Sequence, residues 1–543
     1  MDGQRSVNLT GAWDTRISRR VLLRTGGSAA AGLFMLGRAA SSAAAPPWDQ
    51  VNPFTLGVAS GDPTPDGFVL WTRLLPEGTP LDGSVMKQEP YGVRYEVAAD
   101  PEFRTIVRRG SEEAVWEESH TVHAEIAGLP SDRWYWYRFK WGRAISAVGR
   151  TRTAPPLGAP VDKLRFAFTS CQNWGGGYYG ALGKLAEEDV DLVVHLGDYI
   201  YEDVEPQNPV EARLTELRPL GECLTLADYR IRYAFYKRDG NLQEAHRQLP
   251  WLSTWDDHEV AQNYAGLVID PEKPLADAKL RRAAAYLAYW EHQPLSRSRK
   301  PVDENMSIFR RAHWGDLATF HVIDTRQYRA DQLPNCIPGG RHATGYCNEQ
   351  LNPERQLMGD EQRLWLYDGL AQRPTGSGWN VIANQVGFAP EETGDGTAKR
   401  FGQDSWDGYA GDRQRLLEHI KEADLRNAVV ITGDKHINSV RNVPPDYVPA
   451  HFGATPVATE FIGTSVSSGG ERTVTSIALD PDNPHHLWGD RHHGYVRVEL
   501  NARTWRSDFR LVDTVASPVC RVWTESSWEV KHDKPGATPV PAV

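Results

Sequence analysis

The stretch Asp191-Leu-Val-Val-His-Leu-Gly-Asp-Tyr-Ile-Tyr201 joins a run of apolar residues to a carboxylate and a phenol. A short apolar run that ends at a glycine is typical of a buried β-strand. In layered α/β proteins the ends of such strands are where side chains converge on a ligand. The carboxylate of Asp198 and the phenol of Tyr201 are both metal-binding groups. This stretch therefore predicts an α/β protein with a ligand site where the strand ends.

The same order of a strand and then a metal-binding residue type recurs along the chain. Each case alone has an ordinary structural explanation, because a lone cysteine often packs in a core and a lone aspartate often caps a helix. The repeated context and the chemistry of the set favour a two-metal hydrolase instead. The further strand-like runs are 164–168 before Cys171, 252–255 before Asp256-Asp257-His258-Glu259, 379–383 before Asn384, and 428–432 before Gly433-Asp434-Lys435-His436.

At these residues the chain resembles the calcineurin-like metallophosphoesterase superfamily, and within it the PhoD-type alkaline phosphatases. The superfamily pattern runs Asp-x-His, Gly-Asp-x-x-(Asp or Tyr), Gly-Asn-His-(Asp or Glu), a separate His and Gly-His-x-His. The matching blocks here are Ser170-Cys171-Gln172, Gly197 to Tyr201, Asp256 to Glu259, Asn384 and Gly433 to His436. Their departures from the superfamily pattern are those of the PhoD-type enzymes. Flanking motifs extend the resemblance over nearly the whole mature chain: Gly57-Val-Ala-Ser-Gly-Asp62, Val69-Leu-Trp-Thr-Arg73, Val148-Gly-Arg-Thr-Arg152 and Asp324-Thr-Arg326.

The resemblance implies a four-layer αββα metallophosphoesterase sandwich over residues 161–525, preceded by a small fibronectin-III-like β-sandwich over 52–155. The N-terminal residues support this assignment, since short alternating runs such as 92–97 and 134–139 recur between turn residues. Gly128-Leu129-Pro130 before the second of these runs resembles a fibronectin type III corner. We expect this domain to frame the catalytic one rather than bind a ligand of its own.

From residue 161 onward, helical periodicity alternates with strand-like runs, as a sheet sandwich covered by helices requires. The final residues 526–543 are assigned to a C-terminal segment, and the Pro-rich part over 533–543 predicts a loose tail. The helical pattern covers 178–188, 224–238, 275–292, 356–372 and 412–423.

The resemblance implies two metal sites that share the carboxylate of Asp198. Cys171, Tyr201 and His436 would complete the first site with thiolate, phenolate and imidazole. Phenolate together with thiolate suits a redox-active iron. The family implies that this iron is ferric, Fe3+.

The second site would be built from oxygen donors alone. By the resemblance, its ligands are Asp198, Asp257, Asn384 and Asp434. Oxygen-only coordination favours a hard cation over Zn2+. We therefore expect one or two Ca2+ ions, with Mg2+ or Mn2+ as the fallback.

His258 is the best candidate for a catalytic acid, since it lies beside the expected ligand Asp257 and could protonate or hydrogen-bond the leaving oxygen. The alternative for His258 is a hydrogen bond that only supports the site. Asp198 would act in catalysis by holding both metal ions, which activate water and neutralise charge on the phosphate. Asp256 and Glu259 flank this motif and could either orient His258 or bind the second metal ion.

Other polar residues near these motifs have weaker claims. Lys435 lies between two expected ligands and is expected to point away, because neighbours in an extended segment face opposite sides. Asn263, and Asp324 with Arg326, could either contact phosphate or brace loops. We leave these residues out of the expected ligand set.

The expected function is that of a secreted metal-dependent phosphoester hydrolase, an alkaline phosphatase or phosphodiesterase that acts on a phosphomonoester or phosphodiester. A phospholipase D-type phosphodiesterase would share every metal ligand, so the motifs leave that alternative open. A non-catalytic phosphate- or wall-polymer-binding protein would need neither His258 nor a bridging carboxylate. A cysteine hydrolase with Cys171 as its nucleophile would remain active in the presence of chelators.

Residues 1–45 predict a twin-arginine signal peptide. Arg19-Arg20 precede a Gly/Ala-rich apolar stretch and a run of small residues up to Ala45, where cleavage would occur. The expected partner is the twin-arginine translocase, and the mature protein is expected to be secreted or periplasmic. No later segment approaches the ~20 uncharged apolar residues of a membrane span, so no transmembrane anchor is expected.

The composition is that of an ordinary globular enzyme. The 543 residues exceed the usual size of a single core, and hydrophobic and charged residues make up 40% and 24% of the chain. A net charge of -11 provides no overall basic surface, so no stable nucleic-acid partner is expected. We expect a monomer.

The cysteines leave several pairings open. Cys336 and Cys347 could close a local disulfide, and Cys223 could pair with Cys520, which would leave Cys171 as the unpaired thiol. Twin-arginine export of an already folded protein would let Cys171 receive its metal ion in the reducing cytosol.

Overall fold

The structure is a computed structural model. It describes residues 51–270, 274–333, 344–345, 348–372, 378–393, 400–469 and 476–542. The signal segment predicted over 1–45 lies outside the described residues. The predicted disulfide between Cys336 and Cys347 lies outside them as well.

The N-terminal region consists of short strands separated by turns. These strands are β1 (Val58–Thr64), β2 (Gly67–Arg73), β3 (Tyr91–Ala98), β4 (Ile106–Ala114), β5 (Thr121–Ile126), β6 (Trp134–Trp141), β7 (Ala144–Ile145) and β8 (Gly149–Arg152). The predicted alternating runs are confirmed by β3 and β6. In β6, buried residues alternate with half-buried ones along the whole strand, as the period of two requires.

The catalytic region alternates strands with helices. Its strands are β9 (Leu164–Thr169), β10 (Leu192–His195), β11 (Pro250–Ser253), β12 (Arg310–Trp314), β13 (Ala318–Val322), β14 (Thr344–Gly345), β15 (Trp379–Ala383), β16 (Glu392–Thr393), β17 (Arg400–Gly402), β18 (Ala428–Thr432), β19 (Asn438–Val443), β20 (Ala458–Ile462), β21 (His486–Asp490), β22 (Gly494–Leu500), β23 (Thr504–Val512), β24 (Val522–Lys531) and β25 (Lys534–Val540). Its α-helices are α1 (Gly180–Ala186), α2 (Glu211–Leu217), α3 (Leu226–Tyr236), α4 (Gly240–Gln248), α5 (Leu275–His292), α6 (Gly359–Ala371) and α7 (Ala410–Glu422). The predicted helices are confirmed by α1, α3, α5, α6 and α7. The periodicity does not predict α2 or α4.

Two sheets stack face to face at the centre of the catalytic region. The first has the strand order β25-β24-β23-β22-β9-β10-β11-β1-β2-β5, and the second has the order β12-β13-β15-β18-β20-β19-β21. Strands β9, β10 and β11 run parallel to one another, as do β13, β15, β18 and β20. The predicted strand runs are confirmed, although β11 begins and ends slightly earlier than predicted. Because the carboxyl ends of parallel strands meet at one edge, the residues that follow these strands are brought together.

Apolar side chains fill three interfaces, which define the four layers. Between the sheets lie residues of both, including Phe168 and Val194 from the first and Val381 and Ile431 from the second. Helices α1, α3, α4 and α5 cover the outer face of the first sheet. Helices α6 and α7 cover the outer face of the second. This arrangement confirms the αββα sandwich.

The N-terminal region is a β-sandwich, but one of its two layers continues the first catalytic sheet. Strands β4, β3, β6 and β7 form the outer layer, with β8 paired to β6. Strands β1, β2 and β5 form the other layer, and β1 pairs with β11 in parallel at Ser60 and Pro250. The Tyr135 hydroxyl donates to the Pro130 carbonyl at 2.9 Å, which is the tyrosine-corner contact of fibronectin-III-like sandwiches. Both parts belong to one unit, Pro46–Val543.

The prediction of a loose tail over 533–543 is wrong. Most of this segment forms β25, the edge strand of the first sheet, paired with β24. Ala537 packs into the core between the sheets, and its backbone N–H donates to Asn442 Oδ1 at 3.0 Å. Pro535 and Pro539 favoured the prediction of a tail, but proline is tolerated on an edge strand that lacks a neighbour on one side. The assigned boundary at residue 526 accordingly falls within β24.

Cys171, Cys223 and Cys520 are free and buried. The possible disulfide between Cys223 and Cys520 is therefore not formed in this structure. Both thiols pack with apolar side chains beneath the helices that cover the first sheet. Burial raises the pKa of Cys223 to about 12, which stabilises its protonated form.

Within the described ranges, no helix combines the length and the apolar character that a membrane span requires.

Candidate metal centre

The structure brings six of the seven predicted metal ligands together at one end of the two sheets. Strands β9, β10 and β11 are neighbours in the first sheet, and β18 lies in the second. The site therefore forms where the carboxyl ends of the parallel strands in the two sheets face each other. Its residues are Cys171 after β9, Asp198 and Tyr201 after β10, Asp257 after β11, and Asp434 and His436 after β18.

The side chains of these residues lie close enough to hold metal ions. Three groups each have their ligand atoms within 4.8 Å of one another. Asp198 belongs to two of the groups and Asp257 also belongs to two, so the groups form one continuous cluster. The groups are Cys171, Asp198 and His436; Asp198, Asp257 and His258; and Asp256, Asp257 and Asp434.

Tyr201 adds a phenol to the first of these groups. Its hydroxyl donates to Asp198 Oδ2 at 2.9 Å and lies 3.2 Å from His436 Nε2. The phenol, the thiol of Cys171 and the imidazole therefore surround one side of Asp198. Because the other side of Asp198 faces the second group, its position suits a shared carboxylate ligand.

The backbone at four residues of the cluster lies in the left-handed region, which residues other than glycine rarely adopt. The φ angle is 59° at Cys171, 56° at Asp198, 59° at Asp434 and 52° at His436. Such strain persists only where the surrounding structure imposes it, and it concentrates at functional sites. Each of these residues follows a strand, so the sharp turn directs its side chain into the cluster.

Burial disfavours the charged form of most acidic groups in the cluster, although at Asp257 the charges of Arg326 and His258 outweigh burial and lower the pKa. Burial raises the pKa of Asp198 well above its usual range and raises the pKa of Asp434 to about 6. Burial and Asp198 raise the pKa of the Cys171 thiol, whereas burial lowers the pKa of His436 to about 3. Metal ions bind carboxylate, thiolate and neutral imidazole, so bound cations would stabilise the deprotonated groups that burial disfavours. The donor set therefore fits metal ions.

His258 is held by two neighbours. Its Nδ1 lies 2.7 Å from Glu202 Oε2, and its ring packs on Tyr201 with the centroids 4.0 Å apart. Burial lowers the pKa of His258, but Glu202, Asp257 and Asp198 together raise it well above its usual value. Since Nδ1 is engaged with Glu202, Nε2 is the nitrogen available to a substrate.

Glu259 braces the site in a way that neither expected alternative describes, whereas Asp256 belongs to a candidate metal group with Asp257 and Asp434. The Glu259 carboxylate accepts hydrogen bonds from the backbone N–H groups of Asp198 at 3.1 Å, Tyr199 at 2.6 Å and Asp256 at 2.9 Å. It thereby ties the loop after β10 to the loop after β11. The Asp256 side chain pairs with the buried guanidinium of Arg326. Among the described contacts, the hydrogen bond of the His258 side chain goes to Glu202 and not to Asp256 or Glu259.

Asn384, the seventh predicted ligand, has an amide that is hydrogen-bonded to neighbouring residues in this structure. Its amide oxygen accepts a hydrogen bond from the Trp406 indole at 3.0 Å. Its amide nitrogen donates to the Val386 carbonyl and to the Thr432 hydroxyl. Because both ends of the amide are engaged, the side chain braces the loop after β15. The indole takes up one of the two lone pairs of the amide oxygen, so Asn384 as a metal ligand stays a prediction.

Lys435 points away from the cluster, but the reason differs from the expected one. Its ammonium pairs with Glu391 at 2.7 Å. The segment around it is not extended, since Asp434 and His436 on either side both have left-handed φ angles. The local turn therefore separates the lysine from its two neighbours.

Comparison with known proteins agrees with this geometry. The family model described as PhoD-like phosphatase matches residues 166–509, and the one described as PhoD-like phosphatase, N-terminal domain, matches residues 39–155. The chain belongs to the PhoD-like phosphatase family. It is accordingly an enzyme of the phosphoester hydrolase class.

Two similar proteins cover most of this PhoD-like phosphatase. Alkaline phosphatase D of Bacillus subtilis (strain 168) is 42% identical over 490 residues, which is 89% of this chain and 82% of that protein. A solved structure described as the structure of PhoD is 40% identical and covers 91% of this chain and 93% of its own, with a TM-score of 0.83.

Two parts of the site of this PhoD-like phosphatase are not predicted by the sequence motifs. Glu202 holds His258, and its only local signal is that it directly follows Tyr201. The Ser/Gly-rich loop 463–469 closes over the first group, and its Ser468 hydroxyl donates to the backbone carbonyl of Cys171 at 2.7 Å. This loop follows β20, another parallel strand, so a search of every strand end would have found it.

A cavity of about 250 Å³ opens over the cluster of this phosphatase. Its described lining includes the carboxylates of Asp198, Asp257 and Asp434 and the amides of Asn173 and Gln262. Neither lysine nor arginine is among the described lining residues. Among the described lining residues, His258 is the group that the raised pKa keeps cationic, and bound cations would add to its neutralisation of a phosphate.

Proposed function

We propose that this chain hydrolyses phosphomonoesters or phosphodiesters as a metal-dependent alkaline phosphatase or phosphodiesterase. The observation that carries the proposal is the continuous cluster, in which Asp198 joins the group around Cys171 to the group around Asp257. Adjacent cation sites that share a carboxylate suit phosphoester hydrolysis. Membership of the PhoD-like phosphatase family supports the reaction class, and the Bacillus subtilis relative is named alkaline phosphatase D.

Two kinds of metal ion would occupy the cluster. Thiolate and phenolate donors suit ferric iron, Fe3+, on one side of it. The other side offers only oxygen donors, which favours one or two Ca2+ ions, with Mg2+ or Mn2+ as the fallback. When bound, the ions neutralise charge on the phosphate and lower the pKa of water so that it can attack phosphorus. The two sides share Asp198, with Cys171, Tyr201 and His436 on the iron side and Asp257 and Asp434 on the other.

His258 would hold the proton that the leaving oxygen needs. The hydrogen bond of 2.7 Å to Glu202 fixes Nδ1, and stacking on Tyr201 fixes the plane of the ring. These contacts present Nε2 to the cavity that His258 lines. Because poor leaving groups depart only when protonated, a positioned imidazolium favours their release.

The polar cavity favours a hydrophilic phosphoester over a lipid. Among its described lining residues there is no leucine, isoleucine, valine, methionine or phenylalanine. A phospholipid would need apolar surface beside the phosphate for its acyl chains. For this reason we place hydrolysis of water-soluble phosphoesters ahead of phospholipase D-type activity.

The twin-arginine translocase would export the protein, and the mature chain would be secreted or periplasmic. Support comes from Arg19-Arg20, the apolar stretch after them and the small residues up to Ala45. Replacing both arginines by lysine should leave active precursor in the cytosol. Undiminished export of that double variant would contradict this route.

Hydrolysis by the purified mature enzyme tests the proposed function. We expect turnover of an aryl phosphomonoester and a bis-aryl phosphodiester, little turnover of phosphatidylcholine, and loss of activity in EGTA. Asp198→Asn should abolish activity because it removes the shared carboxylate, whereas Asp482→Asn changes an exposed residue and serves as the control. Activity that survives both EGTA and Asp198→Asn would contradict the proposal.

A further inference from the structure

Arg326 lies behind the metal cluster, fully buried, in the loop that follows β13. Its Nε donates to Asp256 Oδ1, and its Nη1 pairs with Asp404 at 2.8 Å. Its Nη2 lies 3.4 Å from Asp257 Oδ1 and 3.6 Å from Asp434 Oδ1. One guanidinium thus reaches four carboxylates, two of which belong to the proposed site of the second ion.

These contacts connect the two sheets. Asp257 follows β11 in the first sheet, and Asp434 follows β18 in the second. A planar guanidinium presents its N–H groups in a rigid fork, which the flexible ammonium of a lysine cannot do. Arg326 is therefore placed to set the separation of two carboxylates that come from different sheets.

The contacts from Arg326 to Asp257 and Asp434 leave the carboxylate oxygens available. At 3.4 and 3.6 Å they are ion pairs rather than hydrogen bonds. Nη2 has no hydrogen-bond partner among the described residues. Two neighbouring carboxylates repel each other, and the guanidinium offsets that repulsion without occupying their lone pairs. Asp257 and Asp434 therefore keep carboxylate oxygens that can bind a cation.

The guanidinium is itself held in one place. Asp404 also pairs with the buried Arg329 at 2.9 Å. The backbone N–H of Arg326 donates to Asp324 Oδ1 at 2.9 Å, which fixes the turn after β13. With its side chain 0% exposed, Arg326 has no room to swing towards solvent. Its charge therefore stays at a fixed point beside the two carboxylates.

We propose that Arg326 is a positioning residue that sets the affinity of the site for the second metal ion. This inference rests on the proposed function, because it takes Asp257 and Asp434 as ligands of that ion. Arg326 is not among the described residues that line the cavity, so it acts through the two carboxylates and not on substrate. Residues that orient metal ligands in this way contribute about 10- to 100-fold to metal affinity.

The variant Arg326→Lys tests this inference, because it keeps the charge and removes the fork. The mature enzyme is stripped of its exchangeable ion with EGTA and titrated with CaCl2 by calorimetry, and the melting temperature of the stripped protein is measured in parallel. We expect the dissociation constant for Ca2+ to rise by about 10-fold or more.

Arg329→Lys is the matched control for Arg326→Lys. Arg329 is equally buried and pairs with the same Asp404, but its described contacts include neither Asp257 nor Asp434. Its replacement should lower the melting temperature and leave the dissociation constant within about threefold of the wild type. If Arg326→Lys binds Ca2+ as tightly as the wild type and only melts earlier, Arg326 is merely structural and the inference is overturned.

Two further results decide the remaining cases. If Arg326→Lys does not fold, Asp404→Asn loosens the same guanidinium and should raise the dissociation constant by about threefold or more. An unchanged dissociation constant in Asp404→Asn would then overturn the inference. A stripped wild-type enzyme that binds none of Ca2+, Mg2+ and Mn2+ would overturn the proposed metal centre itself. That result can be told apart from equal binding of Ca2+ by the wild type and the variant, which would overturn only the role of Arg326.

Discussion

At the scale of single residues, Glu202 and His258 should control how turnover depends on the leaving group. His258→Ala should lower turnover by about 10²-fold or more for alkyl phosphoesters, because their leaving oxygen needs a proton. Aryl esters with good leaving groups should lose less. Glu202→Gln removes the charged partner of His258 Nδ1 and should lower turnover less, by about tenfold. This loss should depend on the leaving group in the same way. Turnover across a series of leaving groups measures both effects.

The losses of turnover caused by Glu202→Gln and His258→Ala should not add, since Glu202 acts through the imidazole of His258. The double variant should therefore be no slower than His258→Ala alone. Metal content, measured on the same samples, should stay close to that of the wild type. Equal losses for all leaving groups would remove the general-acid role of His258.

Gly469 shows how closely the backbone approaches His436. A Cβ at this position would come within 2.5 Å of His436 Nδ1, and the backbone φ of +60° already disfavours a side chain. Gly469→Ala should displace the imidazole, and iron content and activity should fall by about tenfold or more. Gly453→Ala is the control, because a Cβ there meets only Pro484 at 4.0 Å. Full iron content in Gly469→Ala would contradict the assignment of His436 to the iron side.

At the scale of elements, the strand ends can be predicted from the sequence because both of their signals are local. The apolar run and the polar residues that follow it lie side by side in the chain, as in β10 with Asp198. Asn384 shows where this approach stops. It follows β15 in the same pattern, yet its amide faces the indole of Trp406, which lies 22 residues further along the chain. Side-chain direction depends on such distant contacts, which no local pattern encodes.

The features that sequence patterns miss depend on partners that are distant in the chain. Glu202 holds His258 across 56 residues, and Ser468 holds the backbone of Cys171 across 297. Strand β25 is missed for a similar reason. Its prolines favour a tail, and only the core between the sheets explains why Ala537 is buried.

The N-terminal strands complete the first catalytic sheet, so the catalytic region alone should not fold stably. The Trp71 indole donates to the Glu291 carbonyl at 2.7 Å, and Asp62 pairs with the buried Arg310 at 2.8 Å. A fragment that begins at residue 161 would expose the edge of β11 and remove the carboxylate partner of Arg310, and both changes destabilise. We expect this fragment to aggregate in gel filtration.

A chain that begins at residue 46 is the control for this truncation, since it keeps β1, β2 and β5. It should elute as a folded species with a cooperative melting transition. A monomeric fragment from residue 161 with the same melting temperature would show that the N-terminal strands are dispensable for folding.

At the scale of the whole molecule, two sheets and their connecting loops meet to form one proposed metal centre. The first sheet carries Cys171, Asp198 and Asp257, and the second carries Asp434 and His436. The buried acidic groups exceed the positive charge that the protein places among them, so the folded chain should be most stable with its cations bound. One side of the cluster offers thiolate and phenolate donors, and the other side offers only oxygen donors. This difference predicts two different metals in one cluster.

Element analysis of the purified enzyme before and after EGTA, with activity measured on the same samples, tests the mixed metal centre most directly. We expect about one iron per chain, retained throughout because thiolate, phenolate and imidazole bind it firmly. Ca2+ should be lost with EGTA together with activity, and added Ca2+ should restore the activity. An iron-free enzyme that is fully active with Zn2+ alone would contradict this account.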